Sequence, residues 1–267
     1  MLEFLVECAR AAGAVLEAHF GRLTTVRTKD SAASVVTEAD LAAERCLFER
    51  IRARFPEDGF LGEETGFAPG RSAVVWVVDP LDGTSNFVAG LPWFGVMIAR
   101  IEDAEPREAA LYLPALGAMY TAQQDRGARR NDTPLAVSTA TDLAQVLIGF
   151  GLDGTADAAA LRRQGLLLAA VAQRSRNVRA TNSLVDFCYT AEGRLGGTIN
   201  FNCKLWDLAA PTLLVREAGG VVTDLAGREP DFRLDAAATA RTHTVLAAPP
   251  ALHRQLRALV DAVPAGV

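Results

Sequence analysis

Apolar side chains recur at Leu2, Leu5, Val6, Ala9, Ala12, Val15 and Leu16, a stripe at helical spacing that predicts a helix over residues 2–20 with Gly21 as its stop. A second helix is expected from about Glu38 to Arg54, with Leu41, Cys46, Leu47, Phe48 and Ile51 turned inward. Phe55-Pro56 closes it, because proline disfavours helical geometry in the residue before it. From Ala73 the period changes. The segment AVVWVVD is a short β-branched run bounded by a turn and predicts a buried strand. WFGVMIARI and EAALYLPALGAMYTAQQ read as further strands, the second broken around Pro114 to Gly117. Two helices followed by a β meander are therefore expected in the first half.

The second half alternates between the two periods. QVLIGFG, GTINFN, VVTD and HTVLAAP have strand character, whereas ALRRQGLLLAAVAQRS, NSLVDFCYTAEGR and DLAAPTLLVREAGG have helical character. In the last of these Asp207 is a natural N-cap and Gly219 lies near the stop. No repeat or long linker divides the chain. A soft boundary near residues 138–142 separates an α+β part, 1–140, from an α/β part, 141–267, with one active site expected between them.

Composition narrows the possibilities only modestly. A 267-residue chain, half of it hydrophobic, is long enough to bury a core without disulfides or a structural metal. The formal net charge of −5 and the absence of a basic stripe exclude nucleic acid as the expected partner. Cys8, Cys46, Cys188 and Cys203 are scattered, with no CxxC pair, which suits reduced thiols. The start, MLEFLVECARAAG, lacks the pattern of a signal peptide, and no apolar run has membrane-spanning length. No membrane partner and a cytoplasmic location are the expectations.

Chemistry concentrates in Asp79-Pro80-Leu81-Asp82-Gly83-Thr84, directly after the strand ending at Val78. Two carboxylates at the mouth of a buried strand can converge on one point, and Gly83 lets the backbone approach a ligand. Gly83-Thr84-Ser85-Asn86 could open a helical turn whose N–H groups face an anion. Hard oxygen ligands beside such a nest suit Mg²⁺ and phosphate. A well-made β-turn with both acids solvated explains the proline and glycine equally well. Glu63-Glu64 could be a solvated loop, Asp207 only a cap, and Asp40 only a partner of a helix dipole.

Together, SVVTEAD (34–40), GEET (62–65), DPLDGTSNF (79–87) and WDLAAPTLLVREAGG (206–220) resemble the inositol monophosphatase family in order and spacing, over about residues 1–248. The resemblance implies an α/β fold, a layered αβαβα sandwich of the inositol monophosphatase/fructose-1,6-bisphosphatase type. It implies a small-molecule phosphomonoester substrate, Mg²⁺ as cofactor in two or three ions, lithium sensitivity and a homodimer. Glu63, Asp79 and the Leu81 carbonyl would hold one metal; Asp79, bridging, would hold a second with Asp82 and Asp207. A third, weaker site would rest on Glu63, with Glu64 and Lys29 supporting from behind. Thr84 with Asp40 would orient and help deprotonate the attacking water, and Glu63 is counted with them among the catalytic groups. The substrate would meet Asp82, Gly83, Thr84, Thr181, Ser183, Asn200 and Asp207.

Three departures from the family pattern matter, the third of them in the substrate pocket. Ser34 replaces an Asp, and Ala89 replaces a polar or basic residue. Asn200 stands where inositol-specific members carry a Glu, and Thr181-Asn182-Ser183 where they have Gly-Thr-Ala. The chemistry therefore looks intact while the specificity is open. Within the superfamily the alternatives are a histidinol-phosphate phosphatase, a fructose-1,6-bisphosphatase and a nucleotide 3′-phosphatase. Outside enzymology the alternative is a regulatory interaction partner.

Overall fold

The computed structural model describes residues 1–22, 26–28, 35–152, 154–155, 157–235 and 238–264. The expectations for Lys29 and Ser34 lie outside the described residues. The first stripe folds as α1 (Leu2–His19) and buries Leu5, Cys8, Ala9, Ala12 and Leu16. A short antiparallel pair, β1 (Val26–Thr28) and β2 (Val35–Thr37), leads into α2 (Glu38–Arg54). Here one expectation needs correction: Leu41 is 49% exposed, not inward. The inward face of α2 instead carries Ala39, Asp40, Ala43, Glu44, Leu47 and Ile51. Asp40 and Glu44 are buried because each accepts backbone N–H groups, and that rotation leaves Leu41 outside.

The first half continues with β3 (Gly59–Gly62), β4 (Gly66–Ala68), β5 (Val74–Asp82), a helical turn α3 (Thr84–Val88), β6 (Gly95–Glu102), β7 (Glu105–Leu113), β8 (Ala118–Gln123), β9 (Gly127–Arg130) and β10 (Thr133–Pro134). They form an eight-stranded sheet in the order β10-β9-β8-β7-β6-β5-β3-β4, in which only the β3–β5 pair is parallel. The second half contributes β11 (Leu147–Phe150), α4 (Ala158–Arg174), β12 (Asn177–Arg179), α5 (Val185–Ala191), β13 (Thr198–Cys203), α6 (Leu205–Glu217), β14 (Val221–Thr223), β15 (His243–Ala248) and α7 (Pro250–Ala262). Its five strands are ordered β12-β11-β13-β15-β14.

Alternation along the strands assigns each face. In β5, Trp76 and Val78 pack with α1 and α2, while Val77 faces α5 and α6 on the other side of the sheet. In β15, Val245 and Ala247 join that same central core, while Leu246 and Ala248 pack with α4 and α7. The layers thus run α1/α2, sheet, α5/α6, sheet, α4/α7, the expected αβαβα sandwich. Glu217, at the end of α6, accepts the N–H groups of Asp125 (2.9 Å) and Gly127 (2.7 Å) and so ties the β8–β9 turn to the central helix layer. No helix among the described residues is long and apolar enough to cross a membrane.

Candidate active site

Parallel pairing of β3 with β5 sets Gly62 opposite Val78, so Glu63, just past the end of β3, comes beside Asp79 of β5. In a regular strand Asp79 and Asp82, three apart, would point to opposite faces. A bulge prevents this: Asp79 pairs with Met97 and Asp82 with Gly95, so three steps on β5 match two on β6. Pro80 fits within the bulge because it has no N–H to leave unpaired. Asp207 arrives from the second half, at the third position of α6 rather than at its cap. The N-cap is Lys204, whose backbone N–H donates to Asp207 Oδ2 at 2.6 Å. Oxygens of Asp79, Asp82 and Asp207 consequently lie within 4.8 Å of one another.

The carboxyls are individually anchored and collectively repulsive. Asp79 Oδ1 accepts from Leu81 N at 3.0 Å, and Asp82 Oδ2 accepts from Leu184 N at 2.5 Å. Burial, then Glu63, Asp82 and Asp207, push the Asp79 carboxyl well above the ordinary carboxylate range. Burial, Glu63 and Asp82 push Asp207 the same way, with Asp79 within hydrogen-bonding reach of it. Such a cluster needs shared protons or cations, and its all-oxygen, hard donor set fits Mg²⁺.

Asp40 lies beside the acids, fully buried. Its Oδ2 accepts from the N–H (2.8 Å) and hydroxyl (2.6 Å) of Thr37, the reciprocal capping box of α2. Its Oδ1 is 3.2 Å from Thr84 Oγ1, which also lies 2.9 Å from the Leu81 carbonyl. The single hydroxyl proton serves one acceptor at a time. Burial raises the proton affinity of Asp40, partly offset by Thr37. Gly83, at φ +78°, admits no side chain, since a Cβ would lie 2.5 Å from the Trp93 carbonyl oxygen.

Next to the acids is a small cavity of about 120 Å³, lined by Asp82, Asn182, Ser183, Asn200, Asn202 and Asp207 among others. Thr181 stands behind this wall: its hydroxyl is 3.2 Å from that of Ser183, and its carbonyl accepts from Asn86 Nδ2 at 2.8 Å. Asn86 also donates to the Trp93 carbonyl at 2.9 Å, so one amide braces the two halves. Asn200 lies against Gly151, where a Cβ would come within 1.8 Å of its Oδ1. A larger cavity of about 840 Å³ lies between α4 and α7 and shares only Asn202 with the small one. It holds none of the clustered acids. Sequence reasoning gave no site role to Thr37, Glu44 or Asn202, and named Asn86 and Asn182 only as members of longer segments. Of these, Thr37 and Glu44 had a signal, since Thr37-x-x-Asp40 is a capping-box spacing and Glu44 follows Asp40 by one helical turn.

The profile of the inositol monophosphatase family matches residues 1–264. The chain is 33% identical over 229 residues to a Nus factor SuhB of Xylella fastidiosa, covering 85% of this chain and 83% of that protein. It is 32% identical over 231 residues to a fructose-1,6-bisphosphatase/inositol-1-monophosphatase of Thermotoga maritima, covering 85% and 86%. Among solved structures, the extragenic suppressor protein suhB of Bartonella henselae superposes with a TM-score of 0.89 at 30% identity, over 99% of this chain and 98% of that one. An IMPase of Thermotoga maritima superposes with a TM-score of 0.87 at 30% identity, over 98% and 97%.

Proposed function

Since the chain belongs to the inositol monophosphatase family, we propose that it hydrolyses a small-molecule phosphomonoester with Mg²⁺, at a site between parts 1–140 and 141–267. The observation that carries this reading is the convergence of Asp79, Asp82 and Asp207 within 4.8 Å in a setting that raises the proton affinity of Asp79 and Asp207. Glu63, Asp79 and the Leu81 carbonyl would hold one ion; Asp79, Asp82 and Asp207 would hold a second; Glu63 would serve a third, weaker one. Mg²⁺ held there would supply charge neutralisation for the phosphoryl oxygens and for an activated water.

The protein's own groups do the rest. Thr84 orients the attacking water and takes its proton while passing its own to Asp40, whose burial makes it a stronger base. Thr37 holds Asp40 in the required rotamer through two hydrogen bonds. The N–H groups of the turn beginning at Gly83 would face the phosphate. The leaving alcohol rests on Ser183 and Asn200, braced by Thr181, with Asn182 and Asn202 completing the wall. This lining carries no Lys or Arg among the described residues, which favours a neutral polar alcohol over a second phosphate. Asn200 in place of a carboxylate favours no strong preference for inositol monophosphates. A cytoplasmic homodimer belongs to the same reading, as the family resemblance implies.

Phosphate release from a panel of inositol-1-phosphate, histidinol phosphate, fructose bisphosphate, adenosine monophosphates and glycerol phosphate, with and without chelator, tests the proposal. Turnover that survives excess chelator would sink it. A second reading rests on relatives named Nus factors, including the one from Xylella fastidiosa. It makes the chain an interaction partner in addition to an enzyme, and a chain inactive on every phosphomonoester with Mg²⁺ present would favour it as the sole role.

A further inference from the structure

The turn between β3 and β4 consists of Glu63, Glu64 and Thr65, closed by Gly66 at φ +73°. A three-residue hairpin ending in a left-handed glycine is a common connection, but it does not by itself aim the side chain at its tip. Under this tip lies Glu44 of α2, 1% exposed. Its Oε2 accepts the N–H of Glu64 at 2.9 Å and its Oε1 the N–H of Thr65 at 2.7 Å. The same carboxylate fills the space over Gly62, where a Cβ would come within 2.6 Å of its Cδ and Oε2. The residues on both sides of Glu63 are thus held by one side chain.

Burying a carboxylate is unfavourable unless hydrogen bonds compensate it. Burial accordingly pushes the Glu44 carboxyl up, while the Glu64 and Thr65 donors pull it down. A groove of about 240 Å³ runs between α2 and the turn, lined by Leu41, Glu44, Arg45, Phe48, Glu64 and Thr65. Open space thus remains between α2 and the turn, and the two hydrogen bonds from Glu64 and Thr65 to Glu44 bridge it.

We propose that Glu44 is a positioning residue for the metal site, holding the β3–β4 turn so that Glu63 faces Asp79. This rests on the reading of Glu63 as a metal ligand. Glu44→Gln preserves shape but turns one of two acceptors into an NH₂ group facing an N–H donor. Calorimetric Mg²⁺ affinity of the variant should fall by about 10–100-fold, the usual scale for a group that orients a ligand from behind. Amide exchange at Glu64 and Thr65 should accelerate, with the core strands still protected. Gly62→Ala, which presses on the same carboxylate from the other side, should produce the same two changes. Wild-type Mg²⁺ affinity in Glu44→Gln, or weakened affinity with unchanged protection of Glu64 and Thr65, would overturn the proposal. Absence of Mg²⁺ binding to the wild-type protein would overturn the metal reading itself, and this proposal with it.

Discussion

Two regions meet at Asp82. On one side Asp79 and Asp207 crowd together with Glu63 acting on both; on the other the uncharged Asn182, Ser183, Asn200 and Asn202 line the cavity away from the acids. The acids are pinned by backbone: the N–H groups of Leu81, Leu184 and Lys204 each bind one carboxylate. The lining is pinned by amide side chains and by close contact, through Asn86 to the Thr181 carbonyl and through Asn200 against Gly151. Repulsion makes the first region dependent on what binds it, because four carboxylates in a partly desolvated space have no cation among themselves. The second region bears no such strain. On the proposed reading, neutral substitutions among its residues change which alcohol is accepted without disturbing the charge balance beside them.

The largest effect should come from removing charge in the acid region. Asp79→Asn should lower kcat/KM by more than the ~10²–10⁴-fold associated with a single acid–base group, because Asp79 is proposed to serve two ions. The same change relieves repulsion, so the metal-free variant should melt above the metal-free wild type while losing stabilisation by Mg²⁺. An active Asp79→Asn enzyme would break the contrast between the two regions.

Thr84→Ala should leave calorimetric Mg²⁺ affinity nearly unchanged and lower kcat by roughly 10²–10⁴-fold. A rise in KM with kcat preserved would instead place Thr84 with the neutral lining as a substrate contact.

A smaller effect is expected across the boundary. Asn200→Glu should raise turnover of inositol-1-phosphate relative to the other phosphomonoesters by on the order of 10–100-fold, the equivalent of one charge-assisted hydrogen bond. Competition assays on the same panel measure this directly. If wild type already prefers inositol-1-phosphate by more than about 100-fold over the rest, the neutral lining does not set specificity.

Behind the lining, Asp186 of α5 gives the smallest and most local prediction. It is fully buried, neither oxygen makes a well-formed hydrogen bond, and burial pushes its carboxyl up to about 6 against the pull of Thr181 and Asn182. With the folded value above the unfolded one, the folded state holds the extra proton. Stability should therefore fall as pH rises from the ordinary carboxylate range through about 6. Asp186→Asn should remove roughly 2–3 kcal/mol of that decline. Chemical denaturation at pH 4 and pH 7.5 reads the difference, and parallel pH dependence in both proteins would refute it.

Much of this was legible in the chain. The stripe of α1 and the break at Pro114 to Gly117 follow from local periodicity and turn chemistry, and the structure has them at those places; the strand expected to end at Val78 runs on to Asp82, because pairing with β6 continues across the bulge at Pro80. The list of acids was legible too, because the motif segments are contiguous and chemically unusual. The orientation of α2 was not legible. Its pattern suggested that Leu41 points inward, whereas buried hydrogen bonds to Thr37, Glu64 and Thr65 turn Asp40 and Glu44 inward instead. No hydrophobicity pattern anticipates a carboxylate buried for its acceptors. Nor did it reveal α7 or the lining residue Asn202, which carries no motif of its own.

The sequence by itself determined which residues carry the carboxylates of the candidate site, since that depends on side-chain type and on spacing within a few residues. Only the tertiary structure decided that they meet. The bulge that turns Asp79 and Asp82 to one side depends on pairing with β6, Glu63 reaches Asp79 through the parallel register of β3 with β5, and Asp207 comes from a helix more than a hundred residues away. Long-range pairing and packing set those distances, and neither is encoded in any local window of the chain.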